Sequence, residues 1–244
     1  MTHSYYKRLL AEAYDLDKPE APERELDRWM KYARAAPGPV LEVMCGSGRF
    51  LVPLALAGID IDGVDASVDM LAACTRKCRE RELSAGIYES RVQDLDLPRR
   101  YALAFIASGS FGLLVDAADY ERGLRKLFEH LRPDGSIVLE AETSAAALNR
   151  AGRWFGRWWD RPDGARIVSR DLTRYDPATT DVEEGFGIYE LYVDGRLVET
   201  EMNNFVRRFW TEGALEAELR AAGFVDVDIT PADAMLLAEG KRPA

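Results

Sequence analysis

The residues best suited to chemistry lie in one short segment, Glu42-Val43-Met44-Cys45-Gly46-Ser47-Gly48, and at Asp65 further along the chain. An apolar run of strand character leads into the segment, and a helical pattern follows it. Glycines in such a turn let the backbone approach a ligand closely, and an acid at the end of the next strand accepts hydrogen bonds from ribose hydroxyls. The pattern predicts a site for a nucleotide-type ligand at the carboxyl ends of two strands.

The elements around this segment alternate between strand and helix. A strand from Val40 meets the glycine turn, a helix follows, a second strand ends at Asp65, and Ser67 caps the next helix. Further strands are predicted near 87–92, at 101–107 and at 136–142. Strands that alternate with helices at this spacing predict an α/β fold, Rossmann-like and doubly wound, with a mostly parallel sheet.

The remaining segments are predicted to complete a single domain over residues 1–244. Two amphipathic helices lie within residues 1–36. After the fifth strand, an aromatic-rich segment leads into two long extended stretches that pair about Asp194-Gly195, so we predict an antiparallel insertion over 143–208. Thr211 then caps a helix, and two short strands follow it.

At these residues the chain resembles the class I S-adenosylmethionine-dependent methyltransferases, in their small-molecule branch. Their first motif is an acid followed by three alternating glycines, and here it stands as EVMCGSG, with Met44 at the place of the first glycine. The order of elements agrees over nearly the whole chain outside the insertion. The resemblance implies S-adenosylmethionine as the cofactor, with Asp65 on the ribose and Gln93-Asp94-Leu95 on the adenine. The cofactor contacts that it implies are Glu42, Met44, Gly46, Gly48, Asp65, Ala66, Met70, Gln93, Asp94, Leu95 and Ala107.

The predicted catalytic residues are Ser108, at the family's active-site rim after the fourth strand, and Glu142, at the end of the fifth. Glu142 is a candidate base or a holder of a cationic substrate, and a solvated strand end is the alternative. Neither histidine, His3 or His130, follows a strand, and His130 is expected as a cation that offsets a helix dipole. A neutral amine attacks a sulfonium methyl directly, whereas a hydroxyl needs a base, so this scarcity favours nitrogen as the methyl acceptor.

Aromatic residues at the start of the chain and in the insertion are candidates for the acceptor pocket. The faces of aromatic rings stabilise sulfonium and ammonium groups, and in this family both segments often close over the active site. The predicted substrate-binding residues are Tyr6, Tyr14, Phe111, Trp154 and Trp158, with Tyr5 beside them. Core packing is the alternative for these side chains.

Composition excludes several classes of function. The 244 residues carry 32 Lys+Arg against 42 Asp+Glu, and a net charge of -10 opposes binding to nucleic acid or an anionic membrane surface. No stretch offers the ~20 apolar residues of a membrane span. Three cysteines form no disulfide framework, and Cys74 and Cys78 are expected to pack, so no metal is predicted. We expect a cytoplasmic protein, and the insertion offers a surface for a homodimer.

Two other classes of function stay open at the level of sequence. A nicotinamide-dependent oxidoreductase would carry G-x-G-x-x-G, but Leu51 stands at the place of the third glycine. A regulatory protein that binds S-adenosylmethionine without catalysis would keep all the motifs. The sequence therefore predicts a methyltransferase that moves a methyl group from S-adenosylmethionine to a small molecule, with nitrogen preferred as the acceptor.

Overall fold

The computed structural model describes residues 6–148 and 150–244, and in these residues it contains six α-helices and two β-sheets. The helices are α1 (Arg8–Asp17), α2 (Glu23–Ala35), α3 (Leu51–Leu56), α4 (Val68–Glu80), α5 (Ala117–His130) and α6 (Glu212–Ala221). The strands are β1 (Val40–Val43), β2 (Ile61–Asp65), β3 (Ile87–Glu89), β4 (Tyr101–Ile106), β5 (Leu131–Glu142), β6 (Trp154–Asp160), β7 (Arg166–Arg174), β8 (Val182–Val193), β9 (Arg196–Arg208), β10 (Val225–Ala232) and β11 (Met235–Lys241). None of these helices is both long and apolar enough to cross a membrane.

The larger sheet has seven strands in the order β10-β11-β5-β4-β1-β2-β3. Its pairs from β5 to β3 are parallel, and β11 runs antiparallel to both β5 and β10. The chain reverses its direction of winding beside β1, where β2 and β4 flank that strand. The predicted fold class is confirmed, and ligands in such sheets bind outside the carboxyl ends of the strands at this switch point.

The predicted insertion forms the second sheet, with four antiparallel strands in the order β6-β7-β8-β9. Asp194 and Gly195 connect β8 to β9 with φ angles of 47° and 73°. Positive φ at both central residues is the requirement of a type I′ turn, which explains why the Asp-Gly pair predicts this hairpin correctly.

Local signals fix two of the predicted helix starts. The Ser67 hydroxyl accepts a hydrogen bond from the Met70 N–H at 3.2 Å and begins α4, and Thr211 caps α6 in the same way at 3.3 Å to the Ala214 N–H. Each bond satisfies a backbone donor that the first turn of a helix leaves unpaired. The Ser67 cap also places α4 directly after Asp65, at the carboxyl end of β2.

The hydrophobic core covers both faces of the large sheet. One cluster includes Tyr101, Phe111 and Trp210, and the other includes Trp29, Leu51 and Phe105. A third, smaller cluster joins Leu9 and Ala13 of α1 to Ala165, Ile167 and Leu191 of the four-stranded sheet. Helix α1 therefore lies between the two sheets and packs on the second one.

Three local predictions differ from the structure. The third strand ends at Glu89, and residues 92–94 form a single 3-10 turn instead of its continuation. The strand predicted at 136–142 begins earlier, at Leu131, and within it Asp134 takes a φ of 61° where the register with β4 shifts. The aromatic segment 154–160 is itself a strand, because it alternates side chains between two faces of the second sheet.

Candidate active site

A cavity opens at the carboxyl ends of β1, β2 and β4, beneath α1. It contains about 990 Å³ of space, counting the open solvent at its mouth. Eleven of the predicted site residues line it: Tyr6, Tyr14, Glu42, Met44, Gly46, Asp65, Ala66, Met70, Gln93, Ala107 and Ser108. The structure thus brings together residues from a sequence span of about 100 positions.

The glycine turn after β1 forms the floor of the cavity. Gly46 and Gly48 take φ angles of 54° and 81°, and Met44 takes 57°, a left-handed conformation that costs a residue with a Cβ about 1–2 kcal/mol. This conformation explains why the related motif has a glycine where Met44 stands. Gly48 faces away from the cavity, and a Cβ there would lie 2.6 Å from the Cys74 Sγ, so this glycine lets the turn pack closely on α4.

Asp65 ends β2 and holds the turn from the other side. Its Oδ2 accepts from the Gly46 N–H at 2.9 Å, and its Oδ1 accepts from the Ser67 N–H at 2.8 Å. Burial raises the pKa of Asp65, and backbone N–H groups of Ser67, Gly46 and Ala66 oppose the shift. A carboxylate has about four acceptor positions, so these two bonds leave capacity for a ligand with adjacent hydroxyls.

Gln93 also lines the cavity. Its side chain is buried, and neither Nε2 nor Oε1 has a hydrogen-bond partner among the residues that the structure describes. A buried amide without partners is costly unless a ligand or water meets it, so this group fits a base with both donors and acceptors.

The two residues after Gln93 do not reach the cavity. The Asp94 carboxylate pairs with Arg122 at 3.0 Å on the surface, and Leu95 is fully buried in the core. Of the predicted adenine segment, only Gln93 is therefore placed to contact a ligand through its side chain.

The rim of the cavity after β4 is held by polar contacts. The Ser108 N–H donates to the Glu140 Oε2 at 2.7 Å, and the Arg49 Nη2 donates to the Ser108 Oγ at 2.6 Å. Glu140 also pairs with Arg28 of α2. Burial raises the pKa of Glu140, while the Ser108 N–H and Arg28 oppose that shift. The Ser108 hydroxyl is thus engaged as an acceptor and lies at the wall of the cavity.

Glu142, the predicted base, does not line the cavity. Its Oε2 lies 2.7 Å from the Arg207 Nη1, and the same guanidinium contacts the Oε2 of the fully buried Glu183 at 2.7 Å. Arg150 bonds to Glu183 as well, at 2.9 Å. Burial raises the pKa of Glu183, but Arg150 and Arg207 outweigh it and the net shift is downward. These ion pairs tie β5 to the second sheet, so Glu142 has a structural partner in place of a substrate.

The predicted aromatic residues separate into two groups. Tyr6 and Tyr14 line the cavity, with their rings edge-to-face at 5.7 Å, and burial raises the pKa of both phenols. Phe111 is fully buried 5.1 Å from Trp210, so it belongs to the core. Trp154 and Trp158 point outward from the second sheet and are 58% and 65% exposed. Tyr5 and His3 lie outside the described residues.

His130 differs from its predicted role as a helix-end cation. The ring is buried, its Nε2 accepts from the Leu97 N–H at 3.0 Å, and its Nδ1 lies 2.7 Å from the Lys126 carbonyl oxygen. Burial lowers the pKa of His130, and the Lys126 carbonyl acts against that shift. An acceptor Nε2 requires the neutral ring, so His130 joins two segments of the core as an uncharged group.

The described residues contain no disulfide and no metal site. Cys45, Cys74 and Cys78 are buried free thiols, and no group of three His, Cys, Asp or Glu side chains there is arranged to hold a metal ion. Cys45 lines the cavity beside the glycine turn. The cavity therefore presents backbone N–H groups, two acids, arginine side chains, an amide and aromatic rings.

Arg49 is one of several cavity residues that the sequence interpretation missed. It follows Gly48 directly and is the one charged residue in the run 49–58. A charge at the start of an otherwise apolar helix is the signal that could have identified it, since such a residue sits where the turn meets the ligand. The ion-pair network of Glu142 had no such signal, because Arg150 and Arg207 lie far along the chain.

Comparisons with known proteins agree with the site. A family model described as a methyltransferase domain matches residues 40–135. A dTDP-3-amino-3,6-dideoxy-alpha-D-glucopyranose N,N-dimethyltransferase of Streptomyces fradiae is 32% identical over 41% of this chain and 38% of its own length. A cypemycin N-terminal methyltransferase of Streptomyces sp is 30% identical over 61% of this chain and 60% of its own. The chain thus spans about two fifths to three fifths of these curated relatives.

Solved structures extend the likeness to the whole fold. The sugar N-methyltransferase KedS8 from Streptoalloteichus sp has a TM-score of 0.76 at 22% identity and covers 100% of this chain, with 98% of its own length aligned. The S-adenosylmethionine-bound amino pentose methyltransferase CalS10 from Micromonospora echinaspora has a TM-score of 0.73 at 16% identity, with 99% and 100% covered. The matched domain, residues 40–135, is the part of the chain that carries the glycine turn, Asp65 and Gln93. Residues 40–135 therefore match a methyltransferase domain, and the chain has the fold of S-adenosylmethionine-dependent methyltransferases.

Proposed function

We propose that this protein transfers a methyl group from S-adenosylmethionine to a nitrogen atom of a small molecule. The observation that carries the proposal is the cavity itself, which is lined by the glycine turn, Asp65 and Gln93, whose buried amide has no hydrogen-bond partner among the described residues. These groups match the chemistry of a nucleoside with an attached amino acid. The names of the relatives, which include sugar and peptide amine methyltransferases, support nitrogen as the acceptor.

The residues that we assign to the cofactor contact three parts of it: the ribose, the adenine and the methionine part. Asp65 accepts the ribose hydroxyls, Gln93 bonds to the edge of the adenine, and Met70, Val92 and Leu114 provide apolar surface for its ring. The turn at Met44 and Gly46 approaches the methionine part. When bound, the cofactor supplies an electrophilic methyl group on a sulfonium.

The chain itself contributes alignment and exclusion of water. Tyr6 and Tyr14 close the cavity from α1, and their raised pKa values keep both phenols protonated near neutral pH. Among the described residues, no histidine or lysine lines the cavity. A neutral amine needs no base for its attack, so this lining suits nitrogen better than a hydroxyl. Holding the two reactants in line at ~3 Å is itself worth several kcal/mol of the barrier.

The acceptor class that we favour is a primary amine on a sugar-like scaffold. Two relatives that are named for nucleotide-linked 3-amino sugars support it. The test supplies the purified chain with S-adenosylmethionine and a nucleotide-linked 3-amino sugar, and with the same sugar carrying a 3-hydroxyl as the matched control. We expect mass additions of one or two methyl groups on the amine alone. Methylation confined to the hydroxyl compound would overturn the nitrogen assignment.

The second candidate is a protein that binds the cofactor without catalysis. Cofactor binding without methyl transfer to any amine, phenol or hydroxyl acceptor in a broad panel would favour it. The structure offers one observation against it, because the cavity stays partly open to solvent, so an acceptor could enter it.

We also propose a single domain over residues 1–244, with the second sheet covering the acceptor, and a homodimer that uses the outer face of that sheet. Trp154, Trp158 and Met202 lie on this face and are 58%, 65% and 61% exposed. Large apolar side chains that are exposed together on one face are typical of protein–protein contacts. The net charge of -10 argues against a nucleic acid partner. The free buried thiols fit a reducing compartment such as the cytoplasm.

A further inference from the structure

Three buried thiols lie together behind the glycine turn. Cys45 belongs to the turn itself, and Cys74 and Cys78 are one helical turn apart on α4. The Cys45 and Cys78 thiols both donate hydrogen bonds to the Cys74 sulfur. The proposed methyl transfer uses none of these groups, so their arrangement calls for a chemistry of its own.

Glycines allow Cys45 and Cys74 to approach each other. A Cβ at Gly48 would lie 2.6 Å from the Cys74 Sγ, and a Cβ at Gly63 of β2 would lie 2.9 Å from the Cys45 Sγ. The Gly48 N–H also donates to the Cys45 carbonyl oxygen at 3.0 Å, which closes the turn over α4. A side chain at either glycine would therefore displace one of the two sulfurs.

The two sulfurs differ in their access and in their proton affinity. Cys45 is 4% exposed and lines the cofactor cavity, whereas Cys74 is 0% exposed. The hydrogen bond from Cys45 lowers the pKa of Cys74, burial opposes that shift, and Cys78 and Lys77 support it. The thiolate is the nucleophilic form of cysteine. A small oxidant in the cavity thus meets Cys45 with a second nucleophile directly behind it.

We propose that Cys45 and Cys74 form a reversible disulfide when hydrogen peroxide enters the cavity, and that this bond weakens cofactor binding. One thiolate attacks an oxygen of the peroxide, the O–O bond breaks, and hydroxide leaves while the sulfur becomes a sulfenic acid. The second thiolate attacks that sulfur and expels another hydroxide. The two thiol protons convert both hydroxides to water, so two thiols and one peroxide give one disulfide and two waters.

Cys78 is excluded as the disulfide partner of Cys74 by the geometry of the helix. Residues four apart on an α-helix hold their Cβ atoms about 5–6 Å apart. A disulfide needs about 3.5–4.5 Å between them, so this pair could form only if α4 unwound. Cys45 comes from a different segment and has no such restriction.

The disulfide acts on the cofactor site through the backbone of the turn, and this step rests on the cofactor assigned under the proposed function. Cys45 lies between Met44 and Gly46, and the Gly46 N–H donates to Asp65 at 2.9 Å. An S–S bond of about 2.05 Å is shorter than a hydrogen-bonded contact between thiols, so it draws Cys45 toward α4. Because oxidation and binding oppose each other, bound cofactor should in turn protect the thiols.

The test treats the full reduced chain with hydrogen peroxide and counts free thiols after denaturation, with mass spectrometry to identify linked peptides. We expect the loss of two thiols and a peptide that links Cys45 to Cys74. Dithiothreitol should reverse the linkage. Cys78→Ser is the matched control and should form the same disulfide, whereas Cys45→Ser and Cys74→Ser should form none.

The link to the cofactor is measured on the same protein. S-adenosylmethionine at ten times its dissociation constant should slow disulfide formation about tenfold, because only the unbound chain reacts. Calorimetry should show that the oxidised chain binds S-adenosylmethionine about tenfold more weakly than the reduced chain, or weaker still, as expected for the loss of at least one hydrogen bond.

Several results would overturn the proposal. They are a linkage between Cys74 and Cys78, a folded chain that forms no disulfide under peroxide, a rate of oxidation that the cofactor leaves unchanged, and an oxidised chain with the affinity of the reduced one. A reduced chain that does not bind S-adenosylmethionine would instead overturn the proposed function, while mass spectrometry would still decide whether the disulfide forms.

Discussion

Asp65 is the residue whose removal tests the cofactor site most directly. Its two oxygens already hold the Gly46 and Ser67 N–H groups at 2.9 and 2.8 Å. Asp65→Ala removes these bonds together with those that we assign to the ribose hydroxyls. Two hydrogen bonds from hydroxyls to a carboxylate are worth about 1.5 kcal/mol each at the lower end, so the dissociation constant for S-adenosylmethionine should rise about a hundredfold or more.

We expect Asp65→Ala to affect the stability of the fold less than it affects cofactor binding. The freed N–H groups face an open cavity, where water can reach them, and the variant no longer buries a carboxylate whose pKa burial raises. We expect a loss of about 1–3 kcal/mol in the free energy of unfolding, which leaves the variant folded.

Calorimetry with S-adenosylmethionine and urea unfolding measure the two effects separately. Asp94→Ala is the matched control, because its exposed ion pair with Arg122 is worth about 0–1 kcal/mol and its side chain lies outside the cavity. We expect less than a threefold change in affinity for the control. A folded Asp65→Ala variant that binds within threefold of wild type would refute the ribose assignment, and a control that weakens equally would show that neither acid acts locally.

Three further changes test other parts of the structure. Gln93→Leu should lower the affinity for S-adenosylmethionine about tenfold without loss of stability, since it removes a buried amide that has no protein partner in the described residues; lower stability with unchanged affinity would contradict this. Since burial lowers the pKa of His130, the free energy of unfolding should fall as the pH drops below about 6.5, where the unfolded ring takes up a proton and the folded ring resists it. In His130→Gln, whose Oε1 can accept from the Leu97 N–H, urea unfolding at pH 7.5 and 5.5 should show a smaller pH difference than in wild type, and an equal one would remove His130 as the cause. Trp158→Glu should convert a dimer into a monomer in sedimentation experiments, whereas a monomeric wild type would exclude the homodimer.

The sequence predicts the cofactor wall well because its signals are local. The change of period at Val40, the glycines that follow, and the Ser67 cap each specify a conformation within a few residues, and the structure has the strand, turn and helix in those places. A parallel sheet then brings the ends of β1 and β2 together whatever the rest of the chain does. Asp65 meets Gly46 for this reason.

The residues of the acceptor pocket could not be predicted in the same way, because their positions depend on contacts between segments that are distant in the sequence. Trp154 and Trp158 share a face of β6 with each other and not with Trp159, whose Nε1 donates to Asp17 at 3.2 Å on the inner side. To predict which of these side chains face inward, one must know the register of β6 against β7, because a shift of one residue moves every side chain to the other face. Aromatic content alone predicts a binding surface on either side of this sheet.

Helix α1 contacts both the elements around the cavity and the second sheet, and its Tyr14 lines the cavity. On the side of the cofactor, the Ser67 Oγ donates to the Tyr6 carbonyl at 2.6 Å, and the Lys77 Nζ lies 2.6 Å from Asp15 and 3.1 Å from the Ser47 carbonyl. These contacts fasten the helix to α4 and to the glycine turn.

On the side of the second sheet, the first turn of α1 is capped by a side chain from β9. The Leu9 N–H donates to the Glu201 Oε2 at 3.1 Å and the Leu10 N–H to its Oε1 at 3.3 Å, which satisfies two donors and places a negative charge at the positive end of the helix. Helix α1 therefore cannot leave the cavity without breaking bonds both to α4 and to the second sheet. Because Tyr6 and Tyr14 are carried on this segment, any ligand that displaces them must also work against the cap at Glu201. Occupancy of the cavity is therefore linked physically to the position of the second sheet.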